Sequence, residues 1–141
     1  MEATTLAAYD KAVPRYTSYP TAAQFDARVG PTEHAAWLRA FGGEDATFYF
    51  HVPFCAQLCW YCACNTIAMN RAEPLDAYAG AMMLEIDRLA ELAPELIVGA
   101  IQWGGGTPAQ LGARRLVDVA RHLAARFDRR SGAEFSMEID P

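Results

Sequence analysis

The amino-acid sequence predicts an α/β protein: an N-terminal arm followed by the first strands and helices of a partial (β/α) barrel with parallel strands. Three observations lead there. Segments rich in strand formers alternate with amphipathic helical stretches in the order strand, helix, strand, helix, strand, which pairs strands in parallel through right-handed crossovers. A cysteine cluster and a glycine run each follow directly on a strand, at the end where (β/α) barrels carry their sites. The last strand has one polar face, which helices would normally cover in a parallel sheet but which can point into a barrel lumen.

Residues 1–43 are expected as an arm and a short helix, and 44–141 as the first part of the barrel, cut short. Pro14, Pro20 and Gly30 break the opening stretch, which has no sustained periodicity and which Tyr16, Tyr19 and Phe25 anchor. Thr32 caps a helix with Ala36, Trp37 and Ala40 at helical spacing, ended by Gly42-Gly43. Phe48–Val52 reads as a strand that Pro53 delivers into the cysteine loop. Pro74 opens a helix in which Leu75, Tyr78, Ala79, Met82, Ile86, Leu89 and Ala93 recur at steps of three and four. Val98–Trp103 is a second buried strand running into Gly104-Gly105-Gly106-Thr107-Pro108.

A further helix carries the apolar stripe Leu116, Val119, Ala120, Leu123 and Phe127, with Arg114, Arg115, Arg121 and Arg126 on its wetter side. Ser131-Gly132 marks a turn. In the third strand Phe135, Met137 and Ile139 share one face, and Glu134, Ser136, Glu138 and Asp140 the other. The chain stops at Pro141 directly after this strand, the pattern expected of a piece of a longer barrel.

Composition narrows the function classes. A chain of 141 residues, 52% hydrophobic, supports one modest core, and a formal charge of −5 leaves no basic footprint for nucleic acid or an anionic membrane. No run of eighteen apolar residues and no secretory leader pattern occur, so a cytoplasmic protein is expected. All four cysteines lie between Cys55 and Cys64, too close to staple distant parts of a fold, which points to a ligand site.

Cys55, Cys59 and Cys62 place three thiols on one tight loop, able to occupy three corners of an iron–sulfur cube and leave one iron open. Zinc is the rival reading, although structural zinc sites usually pair two separate knuckles; a disulfide is the other alternative. The Gly104–Thr107 run lets backbone approach a ligand closely, or is a plain strand-to-helix turn. Its spacing is neither a dinucleotide fingerprint nor a P-loop. Cys64 taken by itself reads as a small buried hydrophobe. His51 acts on substrate or satisfies a backbone partner, and Tyr49 by itself reads as strand packing. His34 and His122 are expected to face water.

The run Cys55-Ala-Gln-Leu-Cys59-Trp-Tyr-Cys62 has the spacing of the radical S-adenosylmethionine (SAM) superfamily. More narrowly, Arg15-Tyr-Thr-Ser-Tyr-Pro-Thr21, Tyr49-Phe-His-Val-Pro-Phe-Cys55, Cys62-Ala-Cys64-Asn65, Gly104-Gly-Gly-Thr-Pro108 and Glu138-Ile-Asp-Pro141 together resemble the oxygen-independent coproporphyrinogen III dehydrogenase family. The match runs through the whole chain and covers roughly the first third of that family's length.

This resemblance implies a radical SAM barrel with a [4Fe–4S] cluster on Cys55, Cys59 and Cys62, and SAM at the open iron. It implies SAM contacts from Tyr49, Gly105, Gly106, Thr107 and Glu138 and a supporting catalytic part for Cys64, while Trp60 and Tyr61, between two of the cysteines, either shield the cluster and pack on the adenine or are ordinary loop packing. The chemistry implied is one-electron cleavage of SAM to a 5′-deoxyadenosyl radical. That radical takes a hydrogen from each of two propionates of coproporphyrinogen III; carbon dioxide leaves, an electron passes to an acceptor, and protoporphyrinogen IX forms in haem biosynthesis. The expected partners are this substrate and an electron donor such as flavodoxin or ferredoxin; the expected state is a monomer. A haem chaperone that keeps the cluster is a second reading and a zinc-binding module a third. Cys64 and the Arg15–Thr21 arm favour the oxidase over the chaperone.

Overall fold

A strand whose alternate residues are large and apolar buries one face and leaves the other free. In the first strand, β1 (Asp45–Val52), Phe48, Phe50 and Val52 are buried while Tyr49 is exposed and His51 half-buried on the other face. The computed structural model describes residues 20–43 and 45–140. Of the arm expected over the first thirty residues, positions 1–19, with Pro14, Arg15, Tyr16 and Tyr19, lie outside the described residues.

The elements follow the expected alternation: helix α1 (Pro31–Ala40), β1, two-residue strands β2 (Phe54–Cys55) and β3 (Ile67–Ala68), helix α2 (Ala72–Leu92), β4 (Ile97–Gly105), a 3-10 turn Pro108–Leu111, helix α3 (Ala113–Arg126) and β5 (Asp128–Met137). The main sheet has the order β1-β4-β5, all parallel, with Tyr49 opposite Gln102, His51 opposite Gly104, and Trp103 opposite Met137. Gly99 is passed over in the register on both sides of β4, a bulge at a residue whose Cβ would sit 3.1 Å from Cβ of Asp45.

The buried strand residues join Leu75, Ala79 and Ile86 of α2 and Val119 and Leu123 of α3 in one core. Phe50 stacks on Trp103 with ring centroids 4.5 Å apart, and Phe48 meets Phe127 at 5.2 Å. Burying each such side chain contributes about 1.5–3 kcal/mol relative to leaving it exposed. Trp103 is 1% exposed, the largest fully buried side chain among the described residues. The sheet thus carries its helices on the Phe50 and Trp103 face, and Tyr49 and Gln102 line the open one. No helix among the described residues is long and apolar enough to cross a membrane.

Several local expectations are corrected. Gly30, not Thr32, caps α1, and the Glu33 carboxylate accepts the Gly30 amide at 2.9 Å; Trp37 of this helix is exposed. Helix α2 begins two residues before Pro74, which is tolerated in the first turn because amides there have no intrahelical acceptor. Phe127 is extended and caps α3 rather than extending it.

The turn expected at Ser131-Gly132 is a bulge inside a longer strand: β5 pairs at Asp128 and Arg129, then resumes at Glu134, with Gly132 at φ +76°. Arg130, in this bulge, pairs with Asp45 at the start of β1. On β5 the apolar face is only partly covered. Met137 packs on the core, but Phe135 is 62% exposed, because β5 is the outer strand, and Ile139, expected on this face, lies beyond the strand's end and is 74% exposed.

Two polar side chains assigned to the wet side of helices are instead partly covered. Arg115 bonds Asp76 on α2 as well as the Leu111 and Ala72 carbonyls. His122 bonds Asp87 at 2.8 Å, also across the two helices. Helix periodicity places a residue on a face but not against a neighbour.

Candidate functional site

Pro53 ends β1 and the chain enters the cysteine loop through β2, which pairs with β3 on the loop's return. Amide bonds from Ile67 to the Pro53 carbonyl (2.7 Å) and from Met69 to the Cys55 carbonyl (2.9 Å) close its base. Two side-chain amides support it from outside: Asn70 donates to the Ala56 carbonyl at 3.2 Å and Gln110 to the Met69 carbonyl at 2.7 Å. Inside this clamp a turn brings the Cys62 amide to the Cys59 carbonyl at 3.1 Å.

None of the four cysteines is in a disulfide; Cys55 is half-buried, and Cys59, Cys62 and Cys64 are exposed. Thr107 Oγ1 donates to Cys55 Sγ at 3.6 Å, and Thr66 Oγ1 lies 3.4 Å from Cys62 Sγ. The Thr66 hydroxyl, aided by the Cys64 backbone, pulls the Cys62 thiol pKa below its ordinary value, toward the thiolate that ligates metals. Among the described residues, no three His, Cys, Asp or Glu side chains are gathered as a preformed metal shell. The loop nevertheless suits a thiolate-bound cluster: its donors are unpaired in disulfides, reachable, and served by hydroxyls.

The glycine run is held against this loop by two backbone bonds, from the Gly106 amide to the Val52 carbonyl (2.7 Å) and from the Thr107 amide to the Phe54 carbonyl (2.8 Å). Each glycine admits a close neighbour. A Cβ on Gly104 would lie 2.9 Å from both Glu138 Oε1 and Tyr49 Oη; on Gly105, at φ +110°, 2.6 Å from the His51 ring; on Gly106, 2.9 Å from Cys55 Sγ. The expected close approach of backbone and ligand is therefore first a close approach of backbone to this chain's own polar side chains.

Glu138 follows β5 and accepts the Gly105 amide at 3.0 Å, so the ends of three strands meet as their sequence positions suggested. Tyr49 Oη lies 3.4 Å from His51 Nδ1, and His51 Nε2 lies 3.2 Å from the Asn65 carbonyl. A carbonyl only accepts, so Nε2 donates, and in a neutral ring Nδ1 then accepts from Tyr49. Burial first, then the charges of Glu138 and Cys64, raise the Tyr49 pKa and keep it a phenol.

The structure therefore brings together Cys55, Thr107, Gly105, Gly106, Tyr49, His51 and Glu138. Tyr61 and Trp60 are exposed on the cysteine loop and pack on none of these. Sequence reasoning missed Asn65 and Thr66, and also Tyr78, whose hydroxyl donates to the His51 carbonyl at 2.7 Å. Their only signal is polarity within or opposite the motif. A cavity of about 230 Å³ between β1 and α2 includes Tyr49, His51 and Tyr78 in its lining. A larger cavity, about 750 Å³, has Phe25, Arg28 and Trp37 in its lining and lies apart from the cysteine loop.

No family model matches the chain. It is 45% identical over 138 residues to the oxygen-independent coproporphyrinogen III oxidase of Paracoccus denitrificans, an alignment spanning 96% of this chain and 31% of the relative. The chain is homologous to the oxygen-independent coproporphyrinogen III oxidases. The Escherichia coli oxidase is 35% identical over 133 residues, 94% of this chain and 29% of its own length. A solved structure of coproporphyrinogen III oxidase from Escherichia coli, described as a radical SAM enzyme, superposes with a TM-score of 0.83 at 32% identity, over 98% of this chain and 30% of that one. The chain has the parallel α/β architecture of that oxidase and spans about a third of the length of the curated relatives it matches.

Proposed function

We propose that Cys55, Cys59 and Cys62 hold a [4Fe–4S] cluster with SAM at its open iron, and that the chain is part of an oxygen-independent coproporphyrinogen III oxidase of haem biosynthesis. The observation that carries this reading is the junction of the cysteine loop with the glycine run and Glu138, through Thr107–Cys55 (3.6 Å) and Gly105–Glu138 (3.0 Å). Its support is the homology to enzymes of that name along 96% of this chain. Residues 1–43 serve as arm and helix and 44–141 as the barrel portion.

When bound, the cluster would supply a low-potential electron for the reductive chemistry of SAM. The residues of this chain bind and orient. Glu138, held by the Gly105 amide, keeps carboxylate lone pairs for an ammonium or hydroxyl of SAM. Tyr49 presents a phenol from the open face beside it, and Gly105, Gly106 and Thr107 complete the wall. Tyr61, exposed on the loop, covers the cluster once ligands fill the site. Cys64 is the thiol left for catalysis. His51, with both ring nitrogens engaged, positions Tyr49 and the cysteine loop, and becomes catalytic when substrate displaces one partner. A flavodoxin or ferredoxin supplies the electron to a cytoplasmic monomer.

Anaerobic reconstitution tests this reading. About four irons and four sulfides per chain, lost on replacing Cys55, Cys59 or Cys62 by Ser, are expected; tight zinc without sulfide would overturn it.

A further inference from the structure

Two hydroxyls, neither a ligand, are aimed at two of the three sulfurs. Thr107 Oγ1 donates to Cys55 Sγ at 3.6 Å, within reach because sulfur is large, and Thr66 Oγ1 is 3.4 Å from Cys62 Sγ. Once a sulfur is a metal-bound thiolate it has no proton to give, so both hydroxyls must donate.

Both sit on or beside hydrogen-bonded backbone. The Thr107 amide is bonded to the Phe54 carbonyl at 2.8 Å, and Pro108, directly after it, is fully buried. Thr66 precedes β3, where the Ile67 amide bonds the Pro53 carbonyl at 2.7 Å. Gly106 lets this arrangement close: a Cβ there would lie 2.9 Å from Cys55 Sγ. Cys59 has no such hydroxyl among the described residues. The Thr107 side chain is thereby engaged by sulfur, whereas its place in the glycine motif suggested a cofactor contact.

We propose that Thr66 and Thr107 are potential-setting residues, whose hydroxyls hydrogen-bond the ligating sulfurs of Cys62 and Cys55 and raise the reduction potential of the cluster. This rests on the cluster reading above. Adding one electron increases negative charge on the sulfurs, so a donor stabilises the reduced form more than the oxidised one. The pair keeps the cluster reducible by a biological donor.

The test is a redox titration of the anaerobically reconstituted chain, followed by electron paramagnetic resonance, with Thr66→Val, Thr107→Val, their double variant and the Thr→Ser variants. Each Val substitution is expected to move the midpoint to more negative potential, by up to about 59 mV, the equivalent of about tenfold in a one-electron equilibrium. The Ser variants should stay near the unsubstituted value. Equal midpoints in all variants, or Ser shifting as far as Val, overturns the assignment while leaving the cluster reading intact. Where a Val variant does not hold iron, the unsubstituted chain decides: its Fe–S(Cys) stretching bands should shift between H2O and D2O, and unshifted bands overturn the assignment. Absence of iron and sulfide from the unsubstituted chain sinks the cluster reading and this inference together.

Discussion

The Glu138 carboxylate accepts the Gly105 amide at 3.0 Å, joining the end of β4 to the residue directly after β5, 33 positions away in the chain. A Cβ on Gly104 would come within 2.9 Å of Oε1 of the same carboxylate. One oxygen is thus anchored by backbone, and the other stands at the Tyr49 side. Replacing Glu138 by Ala should weaken SAM binding by about ten- to a hundredfold, the span of a charge-assisted hydrogen bond. Its thermal midpoint should change little because the group is exposed. Equilibrium dialysis of the reconstituted chain reads the first, and a melt the second.

Gly105 has φ +110°, and a Cβ there would lie 2.6 Å from His51 Cε1. Gly105→Ala should therefore cost at least about 2 kcal/mol in urea unfolding, from backbone strain and overlap together. Adding His51→Ala should recover part of that loss by removing the overlap and none of the strain. Strict additivity of the two substitutions would show that the ring is not what Gly105 accommodates.

Trp103 stacks on Phe50 at 4.5 Å beneath both helices and is 1% exposed. Trp103→Ala should destabilise by about 3–5 kcal/mol, the range for emptying a buried aromatic site. Trp37→Ala, on an exposed residue of α1, should stay within about 0.5 kcal/mol.

Asp76 accepts from Arg114 at 2.6 Å and Arg115 at 2.7 Å, tying α2 to α3. Arg115 first, then Arg114, lowers its pKa from 3.8 to about 2. A folded pKa below the unfolded one means stabilisation that is complete above the unfolded value and lost as pH falls through the folded one. The melting temperature of the unsubstituted chain should drop more steeply between about pH 4 and pH 2 than that of Asp76→Asn. Parallel curves would show that this pair contributes nothing to folding.

Cys64 is exposed and separate from the clamp that fixes Cys55. Cys64→Ser should keep the full iron and sulfide content of the unsubstituted chain while, on the proposed function, the longer protein that contains it loses turnover; loss of iron from this variant would make Cys64 a ligand.

Much of this molecule is legible in the order of its residues. Phe48, Phe50 and Val52 alternate as only a one-face-buried strand does, and Val119 and Leu123 recur at helical spacing, so element types and parallel topology follow from local periodicity. The spacing of Cys55, Cys59 and Cys62 is set by a single loop and needs no folding to be seen. Element ends were less legible. Pro74 and Ser131-Gly132 each have two allowed uses, a first-turn proline or a helix start, a turn or a bulge, and pairing with neighbouring chain decides between them.

What tertiary structure alone decided is which polar atoms meet. Nothing in the one-dimensional pattern places Thr107 against Cys55, Glu138 on the Gly105 amide, or His122 on Asp87. These contacts join residues 33 to 52 positions apart. They exist because parallel strand pairing and helix packing bring distant backbone into fixed register, and periodicity contains no term for that distance.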